Sequence, residues 1–265
     1  MERPVACVFA LLRLAAAGAL AELLRRRRLA VEVAAEERAR AAAELLPHAP
    51  VAPPPAPVAP PLFVVLEGLD GVGKTTAARL LAARLGARAS RTPPDVMRPF
   101  RVEFDASADS ARRTAYYEIG NFVAGAEACA ARKRGESTVC DRYFCSTHAY
   151  VMGRAAAAAG GGPEALPPAG DAAWPAWPPT LERPTHMFVL VLPQAERVAR
   201  LGRRVAASGN ADPETAEEAE LRRSAALCSS INAAFERLGC VRVSAEGSAE
   251  EVVERIAGLI GGADC

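Results

Sequence analysis

Gly68-Leu69-Asp70-Gly71-Val72-Gly73-Lys74-Thr75 has the spacing G-x-x-x-x-G-K-[ST], with Thr76 following it. In that spacing the glycines let backbone N–H groups close around phosphate oxygens, the lysine reaches the β- and γ-phosphates, and the threonine hydroxyl can ligate Mg²⁺. Lys74 is one of only two lysines, the other being Lys133, in a chain with 32 Lys plus Arg. A composition that writes nearly every positive charge as arginine keeps lysine here for a physical reason. A compact ammonium fits between phosphate oxygens where a planar guanidinium is too wide. Residues 68–76 therefore predict a site for a nucleoside triphosphate with Mg²⁺.

A second group of chemistry-bearing residues is Val139-Cys140-Asp141-Arg142-Tyr143. It puts a carboxylate and a guanidinium at the carboxyl end of an apolar run. Asp141 can orient Mg²⁺ or hold it through water, and Arg142 can grip a second phosphate with both arms. Alone, the tripeptide is better explained by a structural ion pair; beside a phosphate-binding loop it reads as an acceptor-phosphate site. A third group, Arg197, Arg200, Arg203 and Arg204, begins helical and then loosens around Gly202 and 208–213. Arginines on a mobile segment near phosphates suit a closing lid, with Arg203 or Arg204 neutralising transition-state charge. A solvated Arg/Glu helix face explains any single one of them equally well. Two phosphate sites and an arginine lid point to phosphoryl transfer between nucleotides, not to hydrolysis for motion or signalling.

These residues need a frame. Residues 62–66 (LFVVL) read as a buried parallel strand, and 75–85 (TTAARLLAARL) as an amphipathic helix stopped by Gly86. Strand, glycine loop and helix in succession aim a helix N-terminus at an anion. Further strands are expected at 87–90, 137–140, 187–192 and 240–243, with helices over 111–134 and 249–260. Continuous apolar strands alternating with helices predict an α/β fold with a parallel sheet covered on both faces, its ligands at the carboxyl ends of the strands. The alanine tract 155–162 and the Pro/Trp segment to Pro184 read as a long loop, with Trp174 and Trp177 as its packing anchors.

Upstream, 1–46 is rich in Ala, Leu and Arg, and 47–61 (PHAPVAPPPAPVAPP) is a stiff, extended linker, so the catalytic domain is expected over 62–265. Arg13 and Glu22 break the apolar stretch 5–24, which makes it a poor membrane span. Its arginines fit a mitochondrial presequence, while its glutamates fit an ordinary solvated helix and a cytoplasmic protein. The formal net charge of +1 supplies no global field for nucleic acid. Seven scattered cysteines without a C-x-x-C pair read as reduced thiols, not a disulfide framework or a zinc site.

FVVLEGLDGVGKTT, AYYEIGNFVAGAE, VCDRYFCSTHAY and EEAEL together resemble the thymidylate kinase family, and within it the UMP–CMP kinase branch. The likeness implies a P-loop NTPase fold with a five-stranded parallel sheet, ATP and Mg²⁺, a nucleoside monophosphate acceptor, and a homodimer packed through the long helices. It places Asp70 and Tyr143 near the acceptor sugar, and Arg98 or Arg101, on a loop after the second strand, on the acceptor phosphate. Two departures matter. Gly71 stands where eukaryotic thymidylate kinases carry an arginine, so the catalytic arginine must come from the lid. Tyr117 and Asn121 match the stacking aromatic and base-reading arginine of those enzymes. A neutral amide at 121 favours UMP or CMP, or their deoxy forms, over dTMP.

Overall fold

The six residues FVVLEG, which form β1 (Phe63–Gly68), are all buried. A strand satisfies that only with partners on both edges and helices on both faces. In the computed structural model, which describes residues 60–105, 109–208 and 214–261, both conditions are met. β3 (Thr138–Asp141) and β4 (His186–Val191) flank β1 in parallel, while β2 (Arg88–Arg91) and β5 (Val241–Ser244) extend the sheet outward. The result is five parallel strands in the order β2-β3-β1-β4-β5. The helices are α1 (Lys74–Leu85), α2 (Arg98–Asp105), α3 (Ser110–Lys133), α4 (Phe144–Ala158), α5 (Gln194–Ala207), α6 (Ala216–Arg223), α7 (Ala225–Arg237) and α8 (Ala249–Gly261). α1 packs with α8, and α4 with α7, so the sheet is covered on both faces. All described residues lie in the unit Ala59–Cys265. The expected presequence and nearly all of the linker fall outside them, as does the lid tip at 209–213.

The order places β1 where the direction of winding reverses, with β2 and β3 on one side and β4 and β5 on the other. Ligand crevices of open α/β sheets form at that point, beyond the carboxyl ends of the strands. Register sets the detail: Leu66 lies opposite Asp141, and Gly68 opposite Leu190. Asp141 thus stands beside the start of the glycine loop.

Three segments depart from their expected form. The alanine tract at 155–162 does not begin a loop. α4 runs through it to Ala158 before turning at Gly160, because consecutive alanines are the best helix formers available. The segment after β2 contains a short 3₁₀ turn at Asp95–Met97 and then α2, where a loop was expected. α5 does not loosen at Gly202, since the buried anchors Arg197 and Leu201 hold that helix to Ala207.

The segment after α4 is pinned rather than mobile in its contacts. Arg237 donates to the carbonyls of Pro163 (2.8 Å), Leu166 and Pro167 (2.9 Å). Trp177 packs on Phe144 at 4.4 Å and on Tyr143 at 5.9 Å, the anchoring role expected of it.

α4 and α7 approach closely at Gly153. A Cβ there would lie 2.5 Å from Ile231 Cγ1 and 2.9 Å from the Cα and N of Ile231 on α7. Alanine gains about 1 kcal/mol of helix propensity over glycine. The clash is with backbone, which cannot swing aside, and overpacking of that kind costs about 1–3 kcal/mol. Gly153→Ala is therefore expected to lower the urea midpoint of unfolding; an unchanged or raised midpoint would show that α4 and α7 can separate cheaply.

Candidate active site

The glycine loop leaves β1 at its buried end and enters α1 through Gly73, whose φ of 98° lies in the left-handed region. No side chain caps α1. Its first-turn N–H groups are thus oriented for an anion, which the helix dipole favours. Gly71 also has positive φ (86°), and a Cβ there would lie 2.7 Å from Leu201 Cγ of α5. The space an arginine at 71 would need is taken by the helix that follows β4.

Lys74, only 6% exposed, donates from Nζ to the Leu69 carbonyl at 2.8 Å and faces Asp70 at 3.8 Å. Burial pulls its ammonium down to about 8; Arg142 adds to this, against the carboxylates of Asp70, Asp141 and Glu67. Beside it, the Thr75 hydroxyl donates to Asp141 Oδ2 at 2.5 Å, while Asp141 Oδ1 is buried with no partner. Hydroxyl and carboxylate oxygens are the hard donors Mg²⁺ prefers, and an orphaned carboxylate oxygen beside the loop threonine fits that ion.

Arg142 occupies the turn between β3 and α4 with φ of 70°, the only described non-glycine residue with positive φ. A non-glycine side chain in that region is strained, and such strain collects at functional sites. Its guanidinium donates to Asp70 Oδ1 (2.5 Å), Ser146 Oγ (3.1 Å) and Tyr150 OH (3.4 Å). Burial pushes the Asp70 carboxyl up, but the charges of Arg142 and then Lys74 more than reverse this and hold it below the usual carboxylate range. Asp70 is thus an ionised bridge between the lysine of the loop and the arginine of β3–α4.

Behind this turn lies Glu67, a residue the motif reading passed over. It is fully buried, and its Oε1 accepts from the backbone N–H of Tyr143 (3.0 Å) and of Ser146 (3.2 Å). Its Oε2 accepts the Ser146 hydroxyl. Burial raises its carboxyl to about 7 against the Ser146 hydrogen bond and the Arg142 charge. A carboxylate inside an otherwise apolar strand was the available signal, because such groups are almost never buried without a specific partner.

The other expected acceptor residues are only partly brought together. Arg101 is exposed and pairs with Asp105 at 3.0 Å; Asp105 also accepts the Tyr117 hydroxyl at 2.7 Å. Arg98 is exposed at the start of α2. Asn121 is buried on α3, its Nδ2 donating to Thr147 Oγ1 at 3.1 Å and its Oδ1 without a partner. Tyr143 departs from expectation. Its ring is 1% exposed, packs edge-on against Phe63 at 5.2 Å, and donates its hydroxyl to the Glu182 carbonyl at 3.0 Å. The backbone turn that aims Arg142 outward sends the next side chain into the core, so Tyr143 supports the turn from beneath.

The lid arginines also differ from expectation. Arg203 is exposed, and Arg204 forms a two-armed pair with Glu218 (2.8 and 2.9 Å), the residue that completes the capping box of α6 with Thr215. Two earlier arginines touch the glycine loop instead. Arg197, fully buried, donates to the Asp70 carbonyl (3.1 Å) and the Leu221 carbonyl (3.0 Å). Arg200 donates to the Val72 carbonyl (3.4 Å) and to the carbonyls of Ala245 (3.1 Å) and Gly247 (3.2 Å) in the loop after β5. Helical spacing from the first turn of α5, not the arginine pair further on, decides which side chains face the loop.

Sequence comparison decides the lineage of this arrangement. The family model for thymidylate kinase matches residues 66–256. The chain belongs to the thymidylate kinase family. Over 200 residues it is 32% identical to human mitochondrial UMP-CMP kinase 2, covering 74% of this chain but 42% of that protein. Over 203 residues it is 31% identical to the thymidylate kinase of Xanthomonas campestris pv. campestris, covering 73% and 80% of the two chains. Among solved structures, thymidylate kinase from Candida albicans superposes with a TM-score of 0.51 at 13% identity, covering 77% of this chain and 92% of that one. The five-stranded parallel sheet with its P-loop is the fold of this family.

Proposed function

We propose that the chain transfers the γ-phosphoryl group of ATP to the phosphate of a pyrimidine nucleoside monophosphate, UMP or CMP and their deoxy forms, giving the diphosphate and ADP. The observation that carries transfer over hydrolysis is the meeting of Arg142 and Lys74 on Asp70, at 2.5 and 3.8 Å. It sets a grip for a second phosphate within one carboxylate of the donor loop. An acceptor phosphate oxygen held by Arg142, with Arg98 or Arg101 from α2, attacks the γ-phosphorus in line while the bond to the β-phosphate oxygen breaks. Lys74 and the loop N–H groups stabilise the charge that spreads over the transferred group. Thr75 and Asp141 would hold Mg²⁺, which neutralises phosphate charge when bound. α5 supplies positive charge through Arg200, which reaches the Val72 carbonyl of the loop, and a closing movement of α5 itself would bring Arg203 and exclude water.

The acceptor reading rests on Asn121, a neutral amide that offers both a donor and an acceptor on a short arm, and on Tyr117 one turn away on the same helix. The likeness to a UMP-CMP kinase supports it. The near-equal identity to bacterial thymidylate kinases favours a second reading, in which dTMP is the acceptor. Comparing kcat/KM for UMP, CMP, dUMP, dCMP and dTMP with the full chain separates them. We expect uridine and cytidine monophosphates to exceed dTMP by about tenfold, the scale of one base hydrogen bond to a fitted group. A dTMP preference would overturn the acceptor assignment and leave the reaction standing. A mitochondrial location, proposed from the arginine-rich 1–46 and the human relative, would be read from import of the full chain. A homodimer through α3 is proposed from the family likeness and is checked by sedimentation.

A further inference from the structure

Arg142 points at the acceptor site by a route that begins one strand away. α4 has no capping side chain of its own, since its N-cap residue Tyr143 makes no such bond. The two N–H groups a capping box would satisfy, those of Tyr143 and Ser146, both donate to Glu67 Oε1 from β1. That leaves Oε2 free to accept the Ser146 hydroxyl proton. With its proton committed to Glu67, the Ser146 oxygen offers its lone pairs outward, and Arg142 Nη1 donates into them at 3.1 Å. The other arm, Nη2, reaches Asp70. Besides the Tyr150 hydroxyl at 3.4 Å, the guanidinium is therefore held by the P-loop aspartate and by a buried carboxylate acting through a serine.

We propose that Glu67 is a positioning residue for phosphoryl transfer, which through Ser146 fixes the Arg142 conformation that meets the acceptor phosphate. The inference rests on Arg142 being the acceptor-phosphate grip. Three donors converge on the two oxygens of residue 67, the arrangement that the ionised carboxyl accepts. A carboxylate accepts at both oxygens, so it can cap the helix and orient the serine together. Glutamine keeps the oxygen that caps α4, but presents an N–H to Ser146 Oγ. The serine then has a donor on two sides, its proton loses its acceptor, and the arginine loses a fixed partner. Hydrogen bonds involving charged groups are the stronger class, and their loss at one remove is expected to appear in acceptor binding.

The test uses full-chain E67Q, S146A and the double variant, with R142A as reference, reading kcat, the separate KM values for CMP and ATP, and thermal melting. E67Q and S146A are each expected to raise the CMP KM by about tenfold or more while the ATP KM stays within about twofold. The double variant is expected to be no worse than the poorer single one, because both cut the same link. Lowered melting with an unchanged CMP KM, or single effects that multiply in the double variant, would reduce Glu67 to a helix cap and overturn the inference. If E67Q does not fold, S146A decides, since it keeps Glu67 and its backbone bonds; an unchanged CMP KM there overturns the proposal. An unchanged CMP KM in R142A would instead strike the acceptor-grip reading on which the inference stands.

Discussion

Lys74→Ala is expected to give a folded protein whose turnover falls by about 10³-fold or more, the scale set by removing a preorganised charge from a phosphoryl-transfer site. Lys74 is the only cation inside the P-loop, and it is buried between the Leu69 carbonyl and Asp70. Little fold stability rides on it, because a desolvated ammonium costs about as much to bury as its pairing returns. The variant should therefore melt within a few degrees of the parent while product formation disappears. Lys74→Arg should not rescue it. The guanidinium is planar and wider than the gap between phosphate oxygens. Steady-state kinetics beside thermal melting checks both points; turnover near that of the parent in either variant would remove Lys74 from the mechanism.

The second large effect is expected at Arg142. Arg142→Ala should lower kcat/KM for the acceptor by about 10²- to 10⁴-fold, with a much smaller change in the KM for ATP. The asymmetry follows from placement: Arg142 lies on the β3–α4 turn, and its contacts are with Asp70, Ser146 and Tyr150. Arg142→Lys is expected to recover little, since one ammonium cannot meet Asp70 and Ser146 in a fixed fork. Arg142→Gly isolates the backbone. Glycine takes a φ of 70° without the strain arginine bears there, so it should melt no lower than Arg142→Ala while being equally inactive. Equal losses for acceptor and ATP across the three variants would mean that Arg142 serves the donor phosphates instead.

Much of this was legible in the sequence because local signals and the global fold agree. LFVVL, the glycine loop and TTAARLLAARL each demand the conformation they adopt, and Gly86 ends α1 with φ of 60° as a helix stop should. The remaining strands lie within one residue of where they were expected, although only 187–192 is a continuous apolar run and β2 is largely exposed. What was not legible depends on long-range contacts. Glu67 reads as an oddity in a strand until the N-terminus of α4 is laid across it. Tyr143 follows Arg142 in sequence, yet the positive φ between them sends one toward Asp70 and the other under Trp177. Arg197 and Arg200 look no different in the sequence from Arg203 and Arg204; only the packing of α5 on Gly71 distinguishes them. The alanine tract misled for the opposite reason. Its composition resembles a low-complexity loop, but alanine propensity carries the helix on.

The measurement that bears most directly on the central claim is ³¹P NMR of the full chain with ATP and Mg²⁺, first without and then with CMP. The account predicts slow loss of ATP alone, then acceptor-dependent growth of ADP and CDP in equal amounts, with no stoichiometric inorganic phosphate. ATP binding without diphosphate formation from any pyrimidine monophosphate, or phosphate release at a rate indifferent to the acceptor, would contradict it.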